Sequence, residues 1–203
     1  MSGKRLFYLI FFALLIGGFA LGMSIAIPGF FKTKIPPISR LKPFRFTTQD
    51  GNAFTEKEML GKIAVVNFFF TTCKSVCPRM NNNLKPVYEA FKNEPAFLLV
   101  SHTSDPEVDS PSKLKRYADS MGVNTSKWVF LTGRKDSLYL AARHNYKLDD
   151  PNNNLKNPED EFLHTQLIAL VNKKGEVVKI YDGLKPSEIE ELKKEVAKLL
   201  KDE

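Results

Sequence analysis

The sequence predicts an α/β domain with a mixed central sheet and an added N-terminal β-hairpin, preceded by an N-terminal transmembrane helix. Three observations carry this. Between residues 62 and 146, apolar runs of strand length alternate with segments of helical period, the signature of strands buried under helices. Near the C-terminus, "QLIALVN" and "EVVKIYDG" are joined by a Lys174-Gly175 turn, so they form an antiparallel pair that makes the sheet mixed. At the other end, Leu6–Ile27 holds 22 residues without a charge.

That apolar stretch follows Lys4 and Arg5. As a helix rising about 1.5 Å per residue it reaches roughly 33 Å, enough for a bilayer core of about 30 Å. A cleaved signal peptide is the competing reading, but its apolar region is shorter and a small-residue cleavage site normally follows. Residues 28–43 contain four prolines and read as a semi-rigid tether. The predicted order is a cytoplasmic tail (1–5), a transmembrane anchor (6–27), the tether (28–43) and the globular domain (44–203).

The domain begins with "FRFTTQDGNAFT", two short apolar-polar runs about an Asp50-Gly51 turn, which predicts a hairpin. "KIAVVNFFF" (62–70) has the unbroken apolar character of a strand buried on both faces. The spacing of Met80, Leu84, Val87, Tyr88 and Phe91 predicts a helix, with Pro86 inside it. A strand over 96–102 follows. Ser110 and Pro111 open a helix that Gly122 ends. "WVFLTG" is a strand and "KDSLYLAARHNY" a helix; a polar loop of fifteen residues, 147–161, leads to the closing strand pair. A last helix starts near Pro186.

Charge narrows the function. Residues 1–49 hold seven of the 30 Lys and Arg and no acid, while the remaining 23 balance the 23 Asp and Glu. The domain itself is neutral, so it lacks the basic footprint of a nucleic-acid binder. The surplus belongs to the membrane-proximal segment. Lys32, Lys34, Arg40 and Lys42 lie beyond the anchor, which by the positive-inside count would keep that side in the cytoplasm. Short N-terminal tails stay in the cytoplasm, and paired cysteines suit an oxidising compartment. The expected location is therefore a bacterial cytoplasmic membrane, with the domain on its extracytoplasmic, periplasmic side.

Both cysteines fall in "NFFFTTCKSVCPRM". Cys73 and Cys77 sit where the first buried strand gives way to its helix, the end of such sheets where reactive groups gather. The residue before a proline avoids helical geometry, which places Cys77 ahead of the helix and Pro78 in its first turn. Backbone N–H groups and the dipole at a helix start lower a thiol pKa, and Lys74 adds positive charge. Three readings follow. A structural disulfide across so short a loop stabilises weakly. A dithiol-disulfide pair fits, although that chemistry more often separates its cysteines by two residues. A soft-metal site needs a third ligand; zinc wants four, whereas Cu(I) accepts fewer and prefers sulfur. The histidines are the candidates. His102 reads as a satisfied polar residue, His144 as solvated on a helix, and His164, beside the long polar loop, as the candidate ligand.

"NFFFTTCKSVCPRM", "SDPEVDSPSKLKRYADSMG", "WVFLTG" and "FLHTQLIALVNKKGEVVKIYDG" together resemble the Sco/SenC family, over a span from about Phe44 to the final helix. The resemblance implies a thioredoxin-like fold, copper bound by Cys73, Cys77 and His164, and delivery to the copper-binding subunit of cytochrome c oxidase. It also implies a redox-active cysteine pair served by a thioredoxin-like reductant. The protein would then be a copper chaperone rather than an enzyme, with thiol-disulfide oxidoreductase activity as the alternative. Two positions depart from the family pattern without removing a ligand: Leu163 stands where many members have Asp, and Lys74-Ser75 follows the first cysteine.

Overall fold

A computed structural model describes residues 3–26, 36–149 and 165–201 of the 203-residue chain. Its contacts group into two units, Met1–Pro36 and Pro37–Glu203. The first contains helix α1, Gly3–Ala26, which is long and apolar enough to cross a membrane by length and composition. Large apolar side chains such as Leu14 and Ile25 are exposed along it, which a core helix would not allow.

The second unit is built in the order β1 (Ser39–Arg40), β2 (Arg45–Thr48), β3 (Ala53–Thr55), β4 (Ile63–Phe69), α2 (Val76–Phe91), β5 (Phe97–Thr103), α3 (Pro111–Met121), β6 (Trp128–Thr132), α4 (Lys135–Leu140), β7 (Leu167–Val171), β8 (Glu176–Asp182) and α5 (Pro186–Lys201). Among the described residues the strands form one sheet in the order β1-β8-β7-β4-β5-β6-β2-β3. β4, β5 and β6 run parallel, while β7 and the β2–β3 hairpin pair antiparallel to this set. This is the mixed α/β sheet that the sequence predicts, with the hairpin added at one edge. Gly51 turns that hairpin at φ 81°, a conformation open to glycine.

β4 explains its own apolar run. All seven of its residues are buried, because both faces of the sheet are covered. Ile63, Val65 and Phe69 point to one core with Leu84 and Val87 of α2, Leu114 of α3, and Leu192 and Val196 of α5. Ala64, Val66 and Phe68 point to the other, under Leu138, Ala141 and Tyr146. Each large side chain so buried contributes about 1.5–3 kcal/mol before entropy is counted.

Three local features differ from the sequence reading or go beyond it, and a fourth matches it. β1 lies inside the stretch read as tether: Ser39 and Arg40 pair with Val177 and Glu176, and the Ile38 and Leu41 N–H groups bond to Val177 and Gly175. Such a short strand, flanked by prolines, has no local pattern; β8 supplies the pairing. The helix after β6 continues past Leu140 as a π-helical turn, Ala141–Tyr146, which seats Asn145 and Tyr146 in the interior. α2 begins at Val76, so Cys77 lies in its first turn rather than ahead of it. Pro78 permits this, because first-turn N–H groups have no partner within the helix and its absent donor is not missed. Finally, α3 has the caps expected of it: the Ser110 hydroxyl accepts from the Lys113 N–H, and Gly122 is left-handed.

His102 is fully buried on β5, in the second core. Its ring stacks on Phe68 at 4.9 Å and meets Phe44, Phe46 and Tyr146. Nε2 shares a hydrogen bond of 3.1 Å with the Tyr146 hydroxyl, and Nδ1 has no partner among the described residues. Burial pushes its pKa from 6.5 to about 3. The fold therefore favours the neutral ring. The stability this confers is present above pH 6.5 and is lost as pH falls toward 3, at about 1.4 kcal/mol per pH unit. We expect urea unfolding from about pH 7 down to about pH 4 to show this slope in the wild type, and a slope shallower by that amount in His102→Phe.

Candidate metal and redox site

The site forms where β4 ends. Beyond Phe69 the chain turns through Thr71 and Cys73 before α2 begins. The Cys73 N–H bonds to the Phe70 carbonyl at 3.2 Å, which starts the turn. Ser75, the residue that caps α2, makes no side-chain cap. The sulfur of Cys73 takes that role instead: the Cys77 N–H donates to it at 3.3 Å. The two sulfurs are thereby brought together at the start of a helix, as their spacing predicts.

Their environments differ. Cys73 is half-buried and Cys77 only 5% exposed. Burial works to raise the Cys73 pKa, but the Cys77 thiol and the backbone N–H groups of Cys77, Ser75 and Val76 outweigh it and hold the pKa below its ordinary value. At Cys77, burial together with the neighbouring Cys73 pushes the pKa up to about 12. The expectation of two acidic thiols thus holds for Cys73 alone. A helix start stabilises only the sulfur its N–H groups can reach, and the interior claims the other.

A cleft of about 340 Å³ opens over the pair. One wall is Phe70, Cys73, Lys74 and Val76; the other includes Thr165 and Gln166, just ahead of β7. Gln166 is fixed from two sides. Its side chain donates to Asp182 at 2.8 Å, and its carbonyl accepts from the Gly183 N–H at 2.8 Å. Gly183 allows this closeness, since a Cβ there would lie 2.7 Å from Met80 Cγ and 2.9 Å from the Gln166 carbonyl. Met80 is one turn below Cys77, so the bare backbone of Gly183 lets the two walls approach.

The histidines separate clearly. His102 belongs to the opposite core, and His144 is exposed on the π-helical turn covering that same face. His164 lies outside the described residues, as does Leu163. Among the described residues, no group of three His, Cys, Asp or Glu could hold a metal ion.

Two polar networks support the site, and the sequence reading singled out neither. Asn67 of β4 donates to Asn81 of α2 at 3.1 Å, and Asn81 donates to Tyr117 of α3 at 2.8 Å. On the other side Ser101 donates to Asn67 at 2.6 Å and receives the Trp128 indole N–H at 2.8 Å. The second network centres on Asp109, which accepts from Thr71 and Thr103. An Asn inside an apolar strand run was the available signal for the first. The second joins residues 38 apart in the chain, a separation that no local pattern marks.

Comparison with known proteins identifies the family. The family described as SCO1/SenC matches residues 34–201. A SCO1 protein homolog from Bacillus subtilis (strain 168) is 30% identical over 155 residues, covering 74% of this chain and 78% of the relative. The structure of BsSco, described as a member of the Sco family of cytochrome c oxidase assembly proteins with an identified disulfide switch, superposes with a TM-score of 0.69. It is 25% identical and covers 83% of this chain and 98% of its own. Bradyrhizobium japonicum ScoI, solved with copper bound, gives a TM-score of 0.61 at 25% identity, over 78% of this chain and 98% of that one. With its thioredoxin-like architecture and nearly the whole globular unit matched, the chain belongs to the SCO1/SenC family.

Proposed function

We propose that this protein is a membrane-anchored copper-binding protein that delivers copper to the copper-binding subunit of cytochrome c oxidase, with Cys73, Cys77 and His164 as ligands. One observation supports the ligand set above others. Thr165, which follows His164 directly in the chain, lines the cleft over Cys73 and Cys77. His164 is the preceding residue in the chain, so its backbone is bonded directly to a residue of that cleft. Two thiols and an imidazole suit Cu(I), which accepts soft donors and low coordination. Relatives point the same way: ScoI is solved with copper bound, and BsSco belongs to oxidase assembly proteins. In this reading residues 1–5 are a cytoplasmic tail and 6–27 the anchor. The tether ends where β1 joins the sheet, and the domain lies on the extracytoplasmic side of a bacterial cytoplasmic membrane.

The test is titration of the reduced full-length protein with Cu(I) and Cu(II) under anaerobic conditions. One tightly held copper is expected, lost or much weakened in Cys73→Ser, Cys77→Ser and His164→Ala. Undiminished binding in all three variants would refute the assignment.

A second reading has its own support. One acidic, accessible sulfur beside one buried, protonated sulfur is the asymmetry of an attacking and a resolving thiol. In that reading the pair reduces cysteines of the oxidase or of other extracytoplasmic proteins and is itself restored by a thioredoxin-like reductant. His164→Ala would then leave dithiol exchange intact, whereas either Cys→Ser substitution would abolish it.

A further inference from the structure

Asp109 takes no part in the chemistry above, yet its carboxylate is fully buried beside the reactive loop. A buried carboxylate is costly unless its oxygens are satisfied. Here Oδ1 accepts from the Thr71 hydroxyl, and Oδ2 accepts from the Thr71 N–H at 3.0 Å and the Thr103 hydroxyl at 2.6 Å. The Lys113 ammonium lies 3.8 Å from Oδ1. Three elements meet at this one group: the loop leaving β4, the end of β5, and the start of α3, whose cap is the next residue.

The geometry gives Asp109 a task. Thr71 stands two residues before Cys73 and commits both of its donors to this carboxylate. The segment Phe70–Ser75 contains no proline to fix its path. Within the loop the Cys73 N–H bonds to the Phe70 carbonyl, and the bonds from Thr71 to Asp109 tie that turn to the rest of the fold. We propose that Asp109 is a positioning residue for Cys73, holding the loop through Thr71 so that the Cys73 sulfur stays on the Cys77 N–H at the start of α2.

Thr103 provides the control. It bonds the same carboxylate but lies on β5, outside the loop. Thr71→Val and Thr103→Val each remove one hydroxyl from Asp109 at nearly constant volume; only the first loosens the cysteine loop. A loss of global stability would affect both variants and would expose both cysteines to reagents. Loss of positioning takes the Cys73 sulfur off the Cys77 N–H and loosens the turn that covers Cys77, so the two cysteines lose their difference in accessibility without a general loss of stability.

The inference rests on the reading of Cys73 as the reactive sulfur. Its test needs no copper, so its failure would leave the copper titration standing, and the reverse. The reduced, metal-free, full-length protein is treated with iodoacetamide at fixed pH, and modification of each cysteine is followed by mass spectrometry. Wild type should modify Cys73 well ahead of Cys77. In Thr71→Val and Asp109→Asn the ratio of the two rates should fall by about fivefold or more, the factor that one net hydrogen bond is worth. Thr103→Val should keep the wild-type ratio. Should Asp109→Asn fail to fold, the two threonine variants decide the matter alone. An unchanged ratio in Thr71→Val, or an equal fall in Thr103→Val, would overturn the proposal.

Discussion

The affinity of the reduced protein for Cu(I) is expected to rise about tenfold per pH unit between about pH 7 and 9. Cys77 carries its proton throughout that range, because burial and the neighbouring Cys73 push its pKa to about 12. Only the thiolate binds metal, so if Cys77 is a ligand as proposed, each copper taken up must displace that proton. A proton released on binding makes the apparent constant climb with pH, and the climb continues until the free thiol ionises on its own. Cys73 differs in sign. Its pKa is held below the ordinary value, so where it is already ionised it adds nothing to the slope. At lower pH, where it too is protonated, the dependence steepens toward two protons. Competition against a chromophoric Cu(I) chelator across this range measures the slope. Cys77→Ser should weaken binding by at least about a hundredfold and remove its share of the pH dependence, since a hydroxyl is a hard, protonated donor. A flat profile in the wild type would mean that Cys77 does not bind the metal.

The largest effect on stability is expected at Trp128. Its side chain is fully buried, stacked on Phe130 with centroids 5.8 Å apart and an interplanar angle of 9°, and tilted against Tyr88 at 5.6 Å. Trp128→Ala should cost about 3–5 kcal/mol through lost contacts and the cavity left behind. The damage should also travel. The indole N–H bonds to Ser101, which leads through Asn67 to Asn81 on α2, one turn below Cys77. Trp128→Phe keeps a ring against Phe130 but drops that bond, and should cost roughly 1 kcal/mol more than the change in buried area alone. Urea unfolding followed by circular dichroism gives both numbers. A cost below about 1 kcal/mol for the alanine variant would show that this ring is not a keystone of the core.

Much of the fold was legible in the sequence because its elements obey local rules. The β4 run is apolar since both of its faces are covered, and α3 is bounded by a serine cap and a left-handed glycine. What escaped was decided at a distance. β1 exists because β8 offers an edge, and nothing in Ser39-Arg40 announces it. The π-helical turn follows from how Asn145 and Tyr146 seat in the interior: Asn145 bonds to both the N–H and the carbonyl of Lys42. The cysteines were legible as a pair from spacing and from Pro78. The opposite acidities of the two sulfurs were not, because burial of Cys77 depends on the packing of α2 against β4. The Asp109 fastening was equally hidden, since its partners come from separate elements.

The capping of α2 by sulfur has one more consequence. Ser75 leaves the helix end otherwise unfastened by a side chain, so the Cys73 sulfur acts as a latch on the first turn. Any bond that draws this sulfur away, to a metal or to another sulfur, unlatches the turn that hides Cys77. On the proposed reading the accessible sulfur is expected to engage first, and its departure from the helix end to uncover the second.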